Sequence, residues 1–186
     1  MNRFLVYLAV FMCQAALVGA LEVPVLVAEE RSLSFDIDPG FDVKKTTPYT
    51  DETGFFINEV DLTHTDQNGG AVVSVLSLYN DYMSRLPPAI VIELFQFGLI
   101  SALEEDGGEI INYWDTRSFT GENVTVSTIQ INPGSIEPDN RNYWLYGQSD
   151  IVYFGMWQLD DNNYAVTIST LDNTTTQKII ETLTIV

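Results

Sequence analysis

The sequence predicts an α+β domain, a twisted antiparallel sheet of about six or seven strands with one long helix and one short C-terminal helix packed on it. Three observations carry this reading. Short runs of alternating apolar and polar residues are joined by tight turns rich in Asn, Asp and Gly, so successive strands pair antiparallel. One long apolar helical stretch divides the strands into two blocks instead of alternating with them. Nothing reads as β-α-β with a phosphate-binding glycine loop.

The elements follow in order. Leu33, Phe35 and Ile37 form the apolar face of a first strand, with Ser34, Asp36 and Asp38 on the other face, and Pro39-Gly40 turns the chain. Residues 41–53 are polar, include Lys44, Lys45 and Pro48, and read as a loop. A second strand spans Phe55 to Thr65, with Phe56, Val60 and Leu62 apolar. "DQNGG", Asp66 to Gly70, is a hairpin turn that needs positive φ, and Ala71 to Leu78 is the third strand.

Pro87-Pro88 opens the long helix, because proline is tolerated in a first helical turn. From Ile90 to Glu105 its polar residues, Glu93, Gln96, Ser101, Glu104 and Glu105, fall on one narrow stripe, and Gly107-Gly108 ends it. Leu94, Phe95 and Leu99 are expected in the core, with Glu93, Gln96 and Glu104 toward water. Ile110 to Phe119 and Asn123 to Ile131 form a hairpin through Thr120-Gly121-Glu122. Pro133 to Arg141 reads as a polar loop. Tyr143 to Tyr146 and Ile151 to Leu159 read as one interrupted strand or two. The turn at Asp160 to Asn163 leads into a strand at Tyr164 to Ser169. Thr174 and Gln177 have the spacing of a capping box, and Ile179, Ile180 and Leu183 form the apolar side of the final helix.

The body of the chain is expected to be extracytoplasmic, secreted or anchored at the outer face of a membrane. Residues 1–20 have a short basic start at Arg3, an apolar run from Phe4 to Val18, and small or modest residues before Leu21. This is the layout of a signal peptide cleaved between Ala20 and Leu21, or of an N-terminal anchor. Residues 21–31 form a connector and 32–186 a single domain. The only cysteine, Cys13, lies in the leader. The remaining chain, about 166 residues, would therefore build its core without a disulfide, which its size allows.

The whole chain carries 8 Lys and Arg against 26 Asp and Glu, a net charge of −18. The leader holds Arg3 and no acid, so its removal leaves 7 against 26 and a charge of −19. Such a surface repels nucleic acid and anionic lipid, both of which are bound through Lys and Arg. Contact with a membrane is expected only through an uncleaved N-terminus.

The opening "LSFDIDPGF" and the closing "ISTLDNTTTQKIIETLTI", Ile168 to Ile185, resemble the ends of the PsbP/Mog1/DcrB superfamily of α/β/α sandwich proteins. The chain also resembles short secreted acidic proteins of methanogenic archaea. The match covers about thirty residues at the two ends, all turn and cap motifs. The superfamily resemblance implies a sandwich fold and a scaffold, assembly or binding role. It carries over no site residue.

His64, the only histidine, has no nucleophile elbow or cysteine to work with and reads as a surface residue. The turns at Asp66 and Asp160 lack the spacing of a calcium loop and read as ordinary Asx turns. No cofactor or metal site is expected. Tyr113-Trp114-Asp115-Thr116-Arg117 is the most site-like cluster. It reads either as a sugar-binding group or, preferably, as an exposed strand face with a cross-strand ion pair. Asn123-Val124-Thr125 and Asn173-Thr174-Thr175 are glycosylation sequons, and Asn123, after a turn, is the better acceptor. The function expected is a non-catalytic binding or assembly module for a protein or envelope component. The alternative is a carboxylate-based hydrolase or carbohydrate-active protein that uses Asp115 with a second acid.

Overall fold

The computed structural model describes residues 33–37, 40–47, 49–50, 55–64, 69–78, 83–105, 108–135, 143–147 and 149–185. The leader, the connector, the Ala20–Leu21 junction and the tip of the "DQNGG" turn lie outside the described residues. The strands are β1 (Leu33–Ser34), β2 (Phe41–Lys45), β3 (Tyr49–Thr50), β4 (Phe55–His64), β5 (Gly70–Leu78), β6 (Glu109–Arg117), β7 (Asn123–Gln130), β8 (Ile151–Asp160), β9 (Asn163–Ser169) and β10 (Thr184–Ile185). The α-helices are α1 (Pro88–Glu105), α2 (Tyr143–Tyr146) and α3 (Asn173–Thr182).

The main sheet has the order β2-β4-β5-β9-β8-β7-β6, with β3 also paired to β4. Every pairing is antiparallel. Two meanders, one before α1 and one after it, join where β5 meets β9, from Ala71 opposite Ser169 to Ser77 opposite Asn163. The chain is therefore an α+β protein with the helices segregated from the strands, as the turn chemistry and the single long helix predict.

Alternation along each strand builds two cores. On β5, Val72, Leu76 and Leu78 face one way and pack with Val91, Phe95, Leu99 and Leu103 of α1. Ala71 and Val73 face the other way and pack with Ile179, Ile180 and Leu183, in and just after α3. The two helices thus cover opposite faces of the sheet. One cross-strand row shows how α3 is seated. Trp114, Val126, Gly155, Thr167, Val73 and Val60 stand side by side from β6 to β4. At Gly155 an added Cβ would lie 3.3 Å from Ile180 Cδ1 and against two valine methyls. The missing side chain leaves the dip into which the helix settles.

The long helix meets the sheet along one ridge at four-residue spacing, Val91, Phe95, Leu99 and Leu103. Leu94 is only half-buried, and Phe97 stands out with 59% of its surface exposed. Gln96, expected to face water, turns inward and donates from Nε2 to Oγ of the buried Ser127. A buried hydroxyl needs a partner, and that need outranks the polar pattern of the helix.

Three further expectations are corrected. The opening run pairs only over Leu33–Ser34, and its partner is β10 rather than the main sheet. Phe35 and Ile37 still pack on the α3-side core, and the Asp36 N–H donates to Thr182 Oγ1 at 2.8 Å. The two ends that carry the superfamily resemblance therefore lie side by side. Residues 41–53, read as a loop, supply the edge strands β2 and β3. Their polarity is that of an edge, where backbone pairing does not require buried side chains. Tyr143–Tyr146, read as strand, is a short helix that buries Leu145 and Tyr146 under the α1-side core. Four consecutive apolar or aromatic residues have no period by which to tell the two apart.

The last helix starts one residue beyond its N-cap Asp172, not at the Thr174 box. Asp172 accepts from the Thr175 N–H at 2.9 Å and from the Thr175 hydroxyl at 2.6 Å. That hydroxyl bond, helped by backbone N–H groups and opposed by partial burial, holds the Asp172 carboxyl below its ordinary value. A carboxyl lowered by folding stabilises the native state fully above the ordinary carboxylate range. The contribution is lost as pH falls through the lowered value. Asp172→Ala is expected to destabilise by about 1 kcal/mol at neutral pH. Urea titrations of both proteins should show the difference shrinking below about pH 4. A constant difference down to acid pH would exclude the charged cap.

Candidate functional site

The functional candidates centre on β6, the last strand of the sheet at the end opposite β2. Its hairpin to β7 is closed by Ser118, whose N–H donates to the Glu122 carbonyl at 2.9 Å and whose carbonyl accepts from the Gly121 N–H at 2.9 Å. Gly121 has φ +87°, the left-handed region that the predicted Thr120-Gly121-Glu122 loop requires.

The cluster read from the sequence does not converge. Adjacent residues of a strand point to opposite faces, so Trp114 and Asp115 part company. Trp114 turns toward α3, half-buried, edge-on to Tyr153 with ring centroids 6.1 Å apart, and its indole N–H is buried without an acceptor. Asp115 is exposed on the α1 side and accepts from the Thr125 hydroxyl on β7 at 2.8 Å. The expected ion pair is therefore a cross-strand hydrogen bond. Thr125 is the direct neighbour of Asp115 in the ladder, within reach of its short side chain. The expected pairing of Trp114 with Asp115 is therefore absent, and it is Tyr113, Asp115 and Arg117 that share the exposed α1-side face.

Thr116, on the Trp114 side, is buried and donates to Glu181 Oε1 of α3 at 2.6 Å. Gln177 donates to the same oxygen at 2.6 Å. These two bonds, Thr116 first, lower the pKa of Glu181 and fix its charge beside the strand. The sequence contains the i, i+4 pair Gln177 and Glu181 but does not show that β6 runs beneath it. Ile111, Tyr113 and Phe119 are the large apolar residues at this edge, 49%, 54% and 63% exposed.

Other sequence candidates lie apart. His64 ends β4 half-buried, its ring 4.7 Å from that of Phe41 and against Gly40, not on open surface as expected. The Asp160 carboxylate accepts at Oδ1 from the N–H groups of Asn162 and Asn163 and from Asn163 Nδ2, the bonds of an Asx turn. Asn123 and Asn173 are both exposed, the first beginning β7 and the second beginning α3.

One acidic pair escaped the sequence reading. Glu59 and Asp61 share the α1-side face of β4. Glu59 meets the Ser74 hydroxyl at 3.5 Å, and Asp61 meets Lys44 Nζ at 4.0 Å. Burial, and then the charge of Glu59, push the Tyr146 hydroxyl far above its ordinary range, so it stays protonated. The alternation of β4 contained the signal, since residues two apart on a strand share a face. Among the described residues, no three His, Cys, Asp or Glu side chains gather as a metal-ligand group. Nor is any helix among them long and apolar enough to cross a membrane. Comparison with known proteins returns no matching family model, no matching curated protein and no matching solved structure.

Proposed function

We propose that this chain is an exported, non-catalytic module that binds or supports a protein or envelope component through the β6 end of its sheet. The observation that supports this best is the edge itself. Three large apolar residues, Ile111, Tyr113 and Phe119, stand about half exposed or more along one strand and its turn. Apolar groups exposed at a sheet edge favour contact with a partner over contact with water. Phe97 adds a fourth on α1. The parting of Trp114 from Asp115 weighs against the carbohydrate-active alternative. The export reading rests on residues 1–20 alone.

The test is photo-crosslinking in the native envelope. A crosslinking residue at Tyr113 is expected to capture one defined component. The same residue at exposed Asp161, on the turn between β8 and β9, is expected to capture none. Mass spectrometry of the same material should find Leu21 as the first residue, or the intact chain in the membrane fraction. No capture from positions 97, 111, 113 or 119, or a cytoplasmic protein beginning at Met1, would overturn the proposal.

A further inference from the structure

We infer that the outer edge of β6 takes an extended, basic peptide segment by strand addition. The inference rests on the binding-module reading and names the chemistry of its partner.

Ser118 directs both its N–H and its carbonyl into the hairpin. In an antiparallel ladder this direction alternates, so Thr116 and Trp114 also bond toward β7, and Tyr113, Asp115 and Arg117 point their N–H and C=O groups outward. The close hydroxyl–carboxylate contact between Thr125 and Asp115 agrees, because non-hydrogen-bonded pairs bring side chains nearest. Among the described residues β6 is the last strand, so this row of donors and acceptors meets no further strand. The register shift between Ile110 and Asn112 limits the regular edge to Asn112–Arg117, long enough for a short peptide.

The two ends of the sheet differ in how they discourage pairing. β2 is short and carries exposed Lys44 and Lys45, the usual protection of an edge. β6 has no lysine; its charges, Glu109, Asp115 and Arg117, leave a net negative edge that repels acidic strands and admits basic ones, and it offers Ile111 and Tyr113 besides. An edge left open in this way is a template for an added strand.

Charge selects the occupant. Exposed Asp115 stands on one face of the edge and exposed Glu181 on the other, the latter fixed by Thr116 and Gln177. Glu109 and Glu122 are exposed at the two ends of the hairpin, whose one cation is Arg117, and α3 carries Lys178 as well as Glu181. A second copy would bring two chains of charge −18 together and set acids against acids. A basic strand with cations on both faces sets one row beside Asp115 and the other toward Glu181, with aliphatic residues interspersed to meet Tyr113.

The experiment uses the full chain, isotopically labelled, and the acetylated, amidated peptide Lys-Lys-Val-Lys-Lys-Val-Lys, which carries Lys and Val on both faces of a strand. Saturating peptide is expected to slow hydrogen exchange at the amides of Tyr113, Asp115 and Arg117 at least tenfold and to leave the β2 edge unchanged. N-methylation of the peptide's alternate amides, which keeps charge and composition, should weaken binding at least tenfold. The double variant Asp115→Asn, Glu181→Gln, shown by circular dichroism to be folded at the assay temperature, should weaken it several-fold. Three results overturn the inference: equal binding of the N-methylated peptide, equal binding of a Glu-Val analogue, or β6 amides already slow in the protein alone. The last would mean that another part of the chain or a second copy fills the edge. An envelope component crosslinked at position 97, with the β6 amides unprotected by peptide, overturns this inference and leaves the binding-module reading standing.

Discussion

Phe95→Ala is expected to lower the free energy of unfolding by about 3–5 kcal/mol, whereas Phe97→Asp should change it by less than about 1 kcal/mol. The two phenylalanines sit two positions apart on α1, one 5% exposed and the other 59% exposed. Phe95 lies on the ridge that packs against Ile129, Val152, Phe154 and Met156 of the sheet. Its removal forfeits the transfer energy of the ring and leaves a cavity that strands on a fixed ladder cannot close. Phe97 points away from the sheet and loses little by becoming charged. Urea denaturation of the two variants checks both figures. Comparable destabilisation by Phe97→Asp would mean that the outer face of α1 is core, and would remove it as a second contact surface.

Gly70→Ala is expected to destabilise by about 1–3 kcal/mol although it adds one methyl group. The new Cβ would lie 2.4 Å from the Leu62 carbonyl oxygen and 2.6 Å from Cζ3 of Trp144. Gly70 is held where it is. Its N–H donates to Thr170 Oγ1 at 3.0 Å, and its carbonyl accepts from the Thr170 N–H at 2.9 Å. The start of β5 therefore cannot retreat without breaking its tie to the residue after β9. The Trp144 ring can move and the Leu62 carbonyl cannot, so Trp144→Leu should relieve part of the strain. A double-mutant cycle measured by thermal unfolding is expected to show non-additivity of about 0.5–1.5 kcal/mol. A neutral Gly70→Ala would mean that β4 and Trp144 do not approach as closely as described.

The site was legible in its parts and not in its assembly. Tyr113 through Arg117 is visible as a chemically rich run, and alternation alone puts Trp114 and Asp115 on opposite faces once the run is taken as a strand. That β6 ends the sheet is a fact of pairing between segments far apart in sequence, and no local pattern carries it. The contribution of α3 is of the same kind. Glu181 lies 65 residues beyond Thr116 and reaches it only because α3 folds back over β6. His64 shows the converse, since its ring rests on Phe41 and Gly40, which β2 pairing brings to the end of β4.

By itself the sequence determined the fold class, most strand boundaries, the long helix, the hairpin at Gly121 and the buried side of α3. Those features depend on periods of two and 3.6 residues and on turns that demand particular backbone angles, all written within short windows of chain. Tertiary structure alone decided which strands lie at the edges, that residues 41–45 pair as a strand, and that Tyr143–Tyr146 coils into a helix. It also decided that Gln96 turns inward to Ser127 and that the opening segment pairs with β10 instead of the sheet. In each of these cases the deciding partner is distant in sequence. The free energy that settles the conformation is that of a contact or a buried hydrogen bond, which exists only once the chain has closed on itself.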